Sequence, residues 1–200
     1  MTLKRLPPAA SPLREAQVSD RGARHAFANI RADLANYNGN WGAQGFWAMV
    51  IYRFGRWRYG VRPVWLRKVM SGLYKVSFKF IQIITGIELP CEVVVGRNFV
   101  IDHHGDIIVS GYARFGDNCR IRSGVCVGLA RVDDPCAPVI GNNVDIGTGA
   151  KVLGHITIGD NVLIGANAVV LCNVPANCIA VGVPAVPRPR KAGPVAGASG

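Results

Sequence analysis

A solenoid of short parallel strands, entered through a helical segment, is the fold this sequence predicts, and the signal is a change of period near Gly86. Before Gly86, apolar residues recur at spacings of three and four, as on one face of a helix. After it they recur every six: Val95 and Ile101, then Val109, Phe115, Ile121 and Val127, then Ile140, Ile146, Val152, Ile158, Ile164 and Val170. Six steps turn an α-helix through about 600°, so no helical face keeps such a stripe. Short strands joined by turns do keep it, with one side per six-residue unit and three sides per coil. Glycine follows the opening aliphatic or aromatic residue in Phe115-Gly116, Ile140-Gly141, Ile146-Gly147, Ile158-Gly159 and Ile164-Gly165. Period and turn residue agree, and the fold is therefore mainly β.

Along the chain, residues 1–20 read as a flexible leader. Pro7, Pro8 and Pro12 stand where an apolar signal core would be, so export is not indicated. Residues 21–86 read as a helical arm of three helices. The first, 21–36, carries Ala23, Phe27, Ile30 and Leu34, and NYNGNWG breaks it. The second, 44–57, carries Phe46, Val50, Phe54 and Trp57 on one side. The third, 65–84, carries Leu66, Val69, Leu73, Val76 and Phe80, and Thr85-Gly86 ends it. The prism occupies 87–186. A small or apolar residue recurs four positions into several units, at Cys119, Val144, Ala150, Val162 and Ala168. Two registers slip: Ile101 to Val109, and Val127 to Ile140. The second expels GLARVDDPCAP as a loop, placed at 128–139, and loops leaving a rigid scaffold commonly carry function. Residues 187–200 lack an apolar period and read as a flexible tail.

Charge is lopsided. The 200 residues carry a net +11, of which residues 1–90 hold a local +10. Phosphate contact would therefore fall to the arm, but its basic residues are interleaved with Met49, Val50, Ile51, Phe54 and Trp57, too densely for a solvated nucleic-acid strip; no nucleic-acid partner is expected. The same basic, aromatic stretch is compatible with peripheral contact at an anionic membrane. No apolar run is long enough to span one. Six cysteines without CxxC spacing fit reduced thiols and a cytoplasmic location, including the inner face of the membrane. Four scattered histidines and no carboxylate cluster at ligand spacing give no metal site.

The words IDHHGDIIVSG, NNVDIGTGAKVLGHITIGDNVLIGANAVV and VPANCIAVGVPA resemble the hexapeptide-repeat acyltransferases, within them the serine O-acetyltransferase branch. The resemblance implies a left-handed parallel β-helix of hexapeptide repeats with an N-terminal helical segment. It further implies acetyl-CoA as co-substrate, a homotrimer (with pairing of trimers open) and sites in the grooves between subunits. It places the general base on His103 and the acid that orients it on Glu88, where the family usually has aspartate. Asp102 matches an acceptor-holding acid, and Gly128, Thr148 and Ala166 match positions lining the coenzyme groove. The chemistry suits histidine: an alcohol attacking a thioester needs a base that titrates near neutrality. His104 is the rival, and strand alternation would send only one of the pair to the groove.

The loop departs from the branch. Where serine enzymes carry Arg-His before the proline that restarts the prism, this chain has Cys136-Ala137. A carboxylate-bearing acceptor wants a fixed cation. The expectation is therefore O-acetylation of a sugar of a glycan or polysaccharide precursor, with Asp102, Asp133 and Asp134 accepting hydroxyl bonds. The alternative is serine O-acetylation for cysteine biosynthesis, with Arg131 restoring the cation.

Overall fold

The computed structural model describes residues 26–131, 133 and 136–190; the expected leader, His25 and Asp134 lie outside them. Helix α1 (Ala26–Asn36), α2 (Gln44–Trp57), a 3-10 turn (Arg58–Gly60) and α3 (Val64–Thr85) precede a three-sided prism. Its first face is a parallel sheet of β1 (Ile87–Glu88), β3 (Ile107–Val109), β6 (Cys126–Gly128), β9 (Lys151–Leu153) and β12 (Val169–Val170). The second holds β4 (Arg114–Phe115), β7 (Val139–Ile140) and β10 (Thr157–Ile158). The third holds β2 (Val100–Asp102), β5 (Arg120–Arg122), β8 (Asp145–Ile146), β11 (Leu163–Ile164) and β13 (Cys178–Gly182), closed by antiparallel β14 (Ala185–Pro189).

Register explains both slips. Regular coils pair Asp145 with Leu163 and Lys151 with Val169, three units on. Across the first slip Val100 pairs with Arg120, two residues further than three units, and the extra residues form the corner 103–106. Across the second Arg120 pairs with Asp145, which leaves the loop between Gly128 and Val139 outside the ladder. The opening residues of the units are buried from Ile101 through Val170, and so are Cys119, Val144, Ala150, Val162 and Ala168. Inward pointing is the arrangement that removes all of them from water. One prism edge carries a ladder: Asn98, Asn118, Asn143, Asn161 and Asn177 all adopt positive φ, and each amide donates to the next at 2.9–3.1 Å. Asparagine tolerates that backbone region because its side chain bonds locally.

An open solenoid end exposes unpaired strand edges. Here the helices cover one end: Tyr52 Oη donates to Val93 O at 2.8 Å, and Arg56 Nη1 donates to the same oxygen. At the other end, the expected tail is partly structured. Residues 187–189 continue β14, whose register on β13 runs from Gly182–Ala185 to Cys178–Pro189. A hairpin needs backbone pairing more than an apolar period, which is why the sequence pattern missed it.

The helices correct the predicted faces. In α2 the buried positions are Gly45, Phe46, Ala48, Met49, Tyr52, Gly55 and Arg56, so the aromatic, basic stretch is in part core rather than surface. In α3 the predicted stripe faces solvent: Val69, Leu73, Val76 and Phe80 are all more than half exposed. The packed side is the opposite one, where Tyr74 is buried and Phe78 and Ile81 rest on the core. α3 is apolar on two sides, and a stripe alone does not say which is buried.

Candidate active site

The edge between the third and first faces stacks four corners, joined by Gly124 N–H to Gly105 O, Gly149 N–H to Ser123 O and Asn167 N–H to Thr148 O at 2.8–2.9 Å. His103 lies in the first corner, Thr148 in the third and Ala166 in the fourth. His103 has φ +65°, in the left-handed region. This breaks the alternation that continues β2, and both His103 and His104 line one cleft of about 260 Å³ with Tyr37, Gly45, Ile101 and Asp102. The expectation that only one imidazole would face the groove is therefore corrected: both are exposed there.

The helical arm sets the backbone beside His103. β2 is an edge strand, and Tyr37 completes it: Ile101 N–H donates to Tyr37 Oη at 3.0 Å, and Tyr37 Oη donates to Ile101 O at 3.3 Å. Burial is the main cause that pushes the phenol up to about 12. Tyr37→Phe should cost about 1–3 kcal/mol, because both Ile101 groups lose their partner. A folded-state value above the ordinary 10.0 means stability held below pH 10 and lost as pH rises toward 12. Urea unfolding should thus show a gentler alkaline decline for the variant than for the wild type, and parallel declines would disprove the assignment.

Asp102 is already engaged. Its Oδ2 accepts from Arg120 Nη1 at 2.9 Å and lies 3.9 Å from Arg122 Nε, whose guanidinium also grips Asp145. Glu88 lines a different cleft, of about 420 Å³, with Ile108, Cys126, Gly128 and Arg131. Among the described residues no bond joins Glu88 to His103; Glu88 Oε2 accepts from Gln82 Nε2 at 2.7 Å, and Lys79 Nζ donates to Gln82 Oε1 at 3.1 Å. The longer side chain reaches back to the last turns of α3. The two residues are nonetheless on adjoining segments: Gly105 N–H donates to Thr85 O and Ile107 N–H to Gly86 O, which rests the histidine corner on the turn into β1. Gly86 has φ +65°, and a Cβ there would sit 3.0 Å from Asp106 N, so a side chain at this turn would be both strained and crowded.

Gly128 sits on the next edge, where the loop departs, and Arg131 pairs with Asp133 at 3.1 Å. That bond holds the Asp133 carboxyl below its usual range. Thus the structure gathers His103, Thr148 and Ala166 on one edge, and Glu88, Gly128 and Arg131 in the cleft beside the loop. Sequence reasoning missed Tyr37, Gly45 and Gln82. The polar Gln82 within FIQII was the one legible hint. Among the described residues no three His, Cys, Asp or Glu side chains are grouped to hold a metal.

Comparison with known proteins decides the family. The model for bacterial transferase hexapeptide (six repeats) matches residues 137–172. A serine acetyltransferase of Helicobacter pylori strain J99 is 37% identical over 135 residues, which are 63% of this chain and 79% of that protein. This chain belongs to the hexapeptide-repeat acyltransferase family. The serine acetyltransferase of Synechococcus elongatus is 38% identical over 141 residues, 70% of this chain and 55% of the relative. In structure, serine acetyltransferase from Brucella abortus superposes with a TM-score of 0.71 at 25% identity, covering 92% of this chain and 78% of that one. The enzyme from Neisseria gonorrhoeae gives 0.68 at 27%, covering 83% and 66%. The prism is accordingly the left-handed β-helix that these words implied. This family member spans between 55 and 62% of the length of the first curated relatives it matches.

The sugar-acceptor expectation is overturned by the same comparison, since these relatives in sequence and structure are serine acetyltransferases. The reasoning from Cys136-Ala137 failed because a missing loop pair is local. A cation for a carboxylate can come from any chain segment within reach, whereas the likeness extends over the whole prism and its helices.

Proposed function

We propose that this protein transfers acetyl from acetyl-CoA to the hydroxyl of L-serine. The observation that carries the reading is the likeness to serine acetyltransferases over 141 residues, together with the histidine corner at the head of one prism edge. His103 takes the proton of the serine Oγ as that oxygen attacks the thioester carbonyl. The new C–O bond forms, the C–S bond breaks, and the imidazolium returns its proton to the departing sulfur. Glu88 orients the imidazole once its carboxylate turns from Gln82. Asp102 receives the serine ammonium and Arg131 of a neighbouring prism its carboxylate, each in exchange for part of its present ion pair.

From His103 to Ala166 is three coil steps, about 14 Å at the usual spacing between strands. That edge gives an extended pantetheine arm a track of backbone beside the small residues at Thr148 and Ala166, with the thioester at His103. A Cβ at Gly128 would meet nothing nearer than Ser110 Cβ at 3.7 Å, so that second wall is also open to a ligand. The two walls lie on different edges of one prism. A groove between neighbouring prisms would bring them together, which supports a homotrimer as the working unit.

The test is release of CoA thiol from acetyl-CoA with L-serine, L-homoserine and nucleotide sugars as acceptors. L-Serine should give kcat/KM of about 10⁴ M⁻¹s⁻¹ or more, within the ordinary enzymatic range. No turnover with serine, or faster turnover with another acceptor, would overturn the assignment.

A further inference from the structure

One face of α3 carries a run of exposed large apolar side chains outside the candidate site. Trp65, Val69, Leu73, Val76, Phe80 and Ile83 are between 51 and 73% exposed. Their spacings of four, four, three, four and three place them on one side of a 22-residue helix, about 33 Å long. Monomeric proteins rarely leave so continuous a stripe in water. Lys68, Lys75 and Lys79, at helical spacings of seven and four, run along one flank, and α3 contains no Asp or Glu.

We infer that this face of α3 docks in the plane of an anionic lipid surface. Charge decides the occupant. A second α3 laid against the first would bring lysines toward a helix with no carboxylate to receive them, whereas lipid phosphates complement all three. The apolar side chains would enter the acyl boundary while the lysine stems reach back to the headgroups. Trp65 lies at the start of the stripe, and an indole favours the boundary between apolar and wet layers. No described helix is long and apolar enough to cross a membrane, so the contact is one of lying on the surface. The inference is independent of the acceptor, and its readout needs no turnover.

The test is co-sedimentation of the full chain with vesicles of phosphatidylcholine alone or with about one third phosphatidylglycerol, at low and high salt. Binding to the anionic vesicles should exceed binding to the neutral ones by at least tenfold and weaken with salt. Leu73→Glu with Phe80→Glu should abolish it, and Lys68→Gln, Lys75→Gln and Lys79→Gln together should remove the anionic preference. All five positions are exposed, and an unchanged circular dichroism spectrum would verify folding. Equal binding to neutral vesicles, or none to either, would overturn the inference. An assembly mass that falls when Leu73 and Phe80 become Glu, without vesicle binding, would assign the face to a second copy instead.

Discussion

His103→Ala should lower turnover by about 10²–10⁴-fold, the usual worth of a positioned base, with acetyl-CoA affinity nearly unchanged. The serine hydroxyl is a weak nucleophile while protonated, and removing the imidazole takes away the base positioned to accept its proton as it attacks. Affinity should survive because the coenzyme track proposed along Thr148 and Ala166 lies two and three coils away. His104 shares the cleft, so His104→Ala is the necessary control and should cost much less. Steady-state kinetics with L-serine, alongside direct acetyl-CoA binding, distinguishes the outcomes. A mild His103 variant beside a dead His104 variant would transfer the base to the second histidine.

Gly45→Ala should disturb the site from outside it. A Cβ at this position, in the first turn of α2, would lie 2.3 Å from Ile101 O and 2.6 Å from Tyr37 Oη. Helix propensity by itself favours alanine by up to about 1 kcal/mol. The clash should win, because the Ile101 carbonyl belongs to a strand whose backbone is fixed by pairing with β5 and cannot rotate away as a flexible side chain can. Overpacking of this kind costs about 1–3 kcal/mol, and in a chain of this size each kcal/mol lowers Tm by roughly 2–4 °C. The push lands two residues before His103, so kcat should fall with it. A variant that melts and turns over like the wild type would show that α2 does not hold β2 in place.

The prism was legible in the sequence because its repeat is local. Each coil buries the same inward positions, so Ile121, Ile146, Ile158 and Ile164 announce their burial by spacing alone, and all four are fully enclosed. The register slips were legible for the same reason, and the first marks the histidine corner. The family words then named His103 and Glu88 as candidates, but their geometry was beyond reach of a pattern. Whether a glutamate carboxylate meets an imidazole or an amide depends on a few ångströms between a strand and the end of a helix, and here Gln82 holds it. Likewise, periodicity found the apolar stripe of α3 without its direction. A helix with two apolar sides is oriented by what it packs against, and only the docking of Tyr74, Phe78 and Ile81 onto the prism end turned Val69, Leu73, Val76 and Phe80 outward. The sequence by itself determined the repeat, the corners and the candidate base. Tertiary structure decided the rest, because hydrogen-bond partners such as Tyr37 with Ile101, 64 positions apart, are set by three-dimensional approach and leave no trace in local spacing.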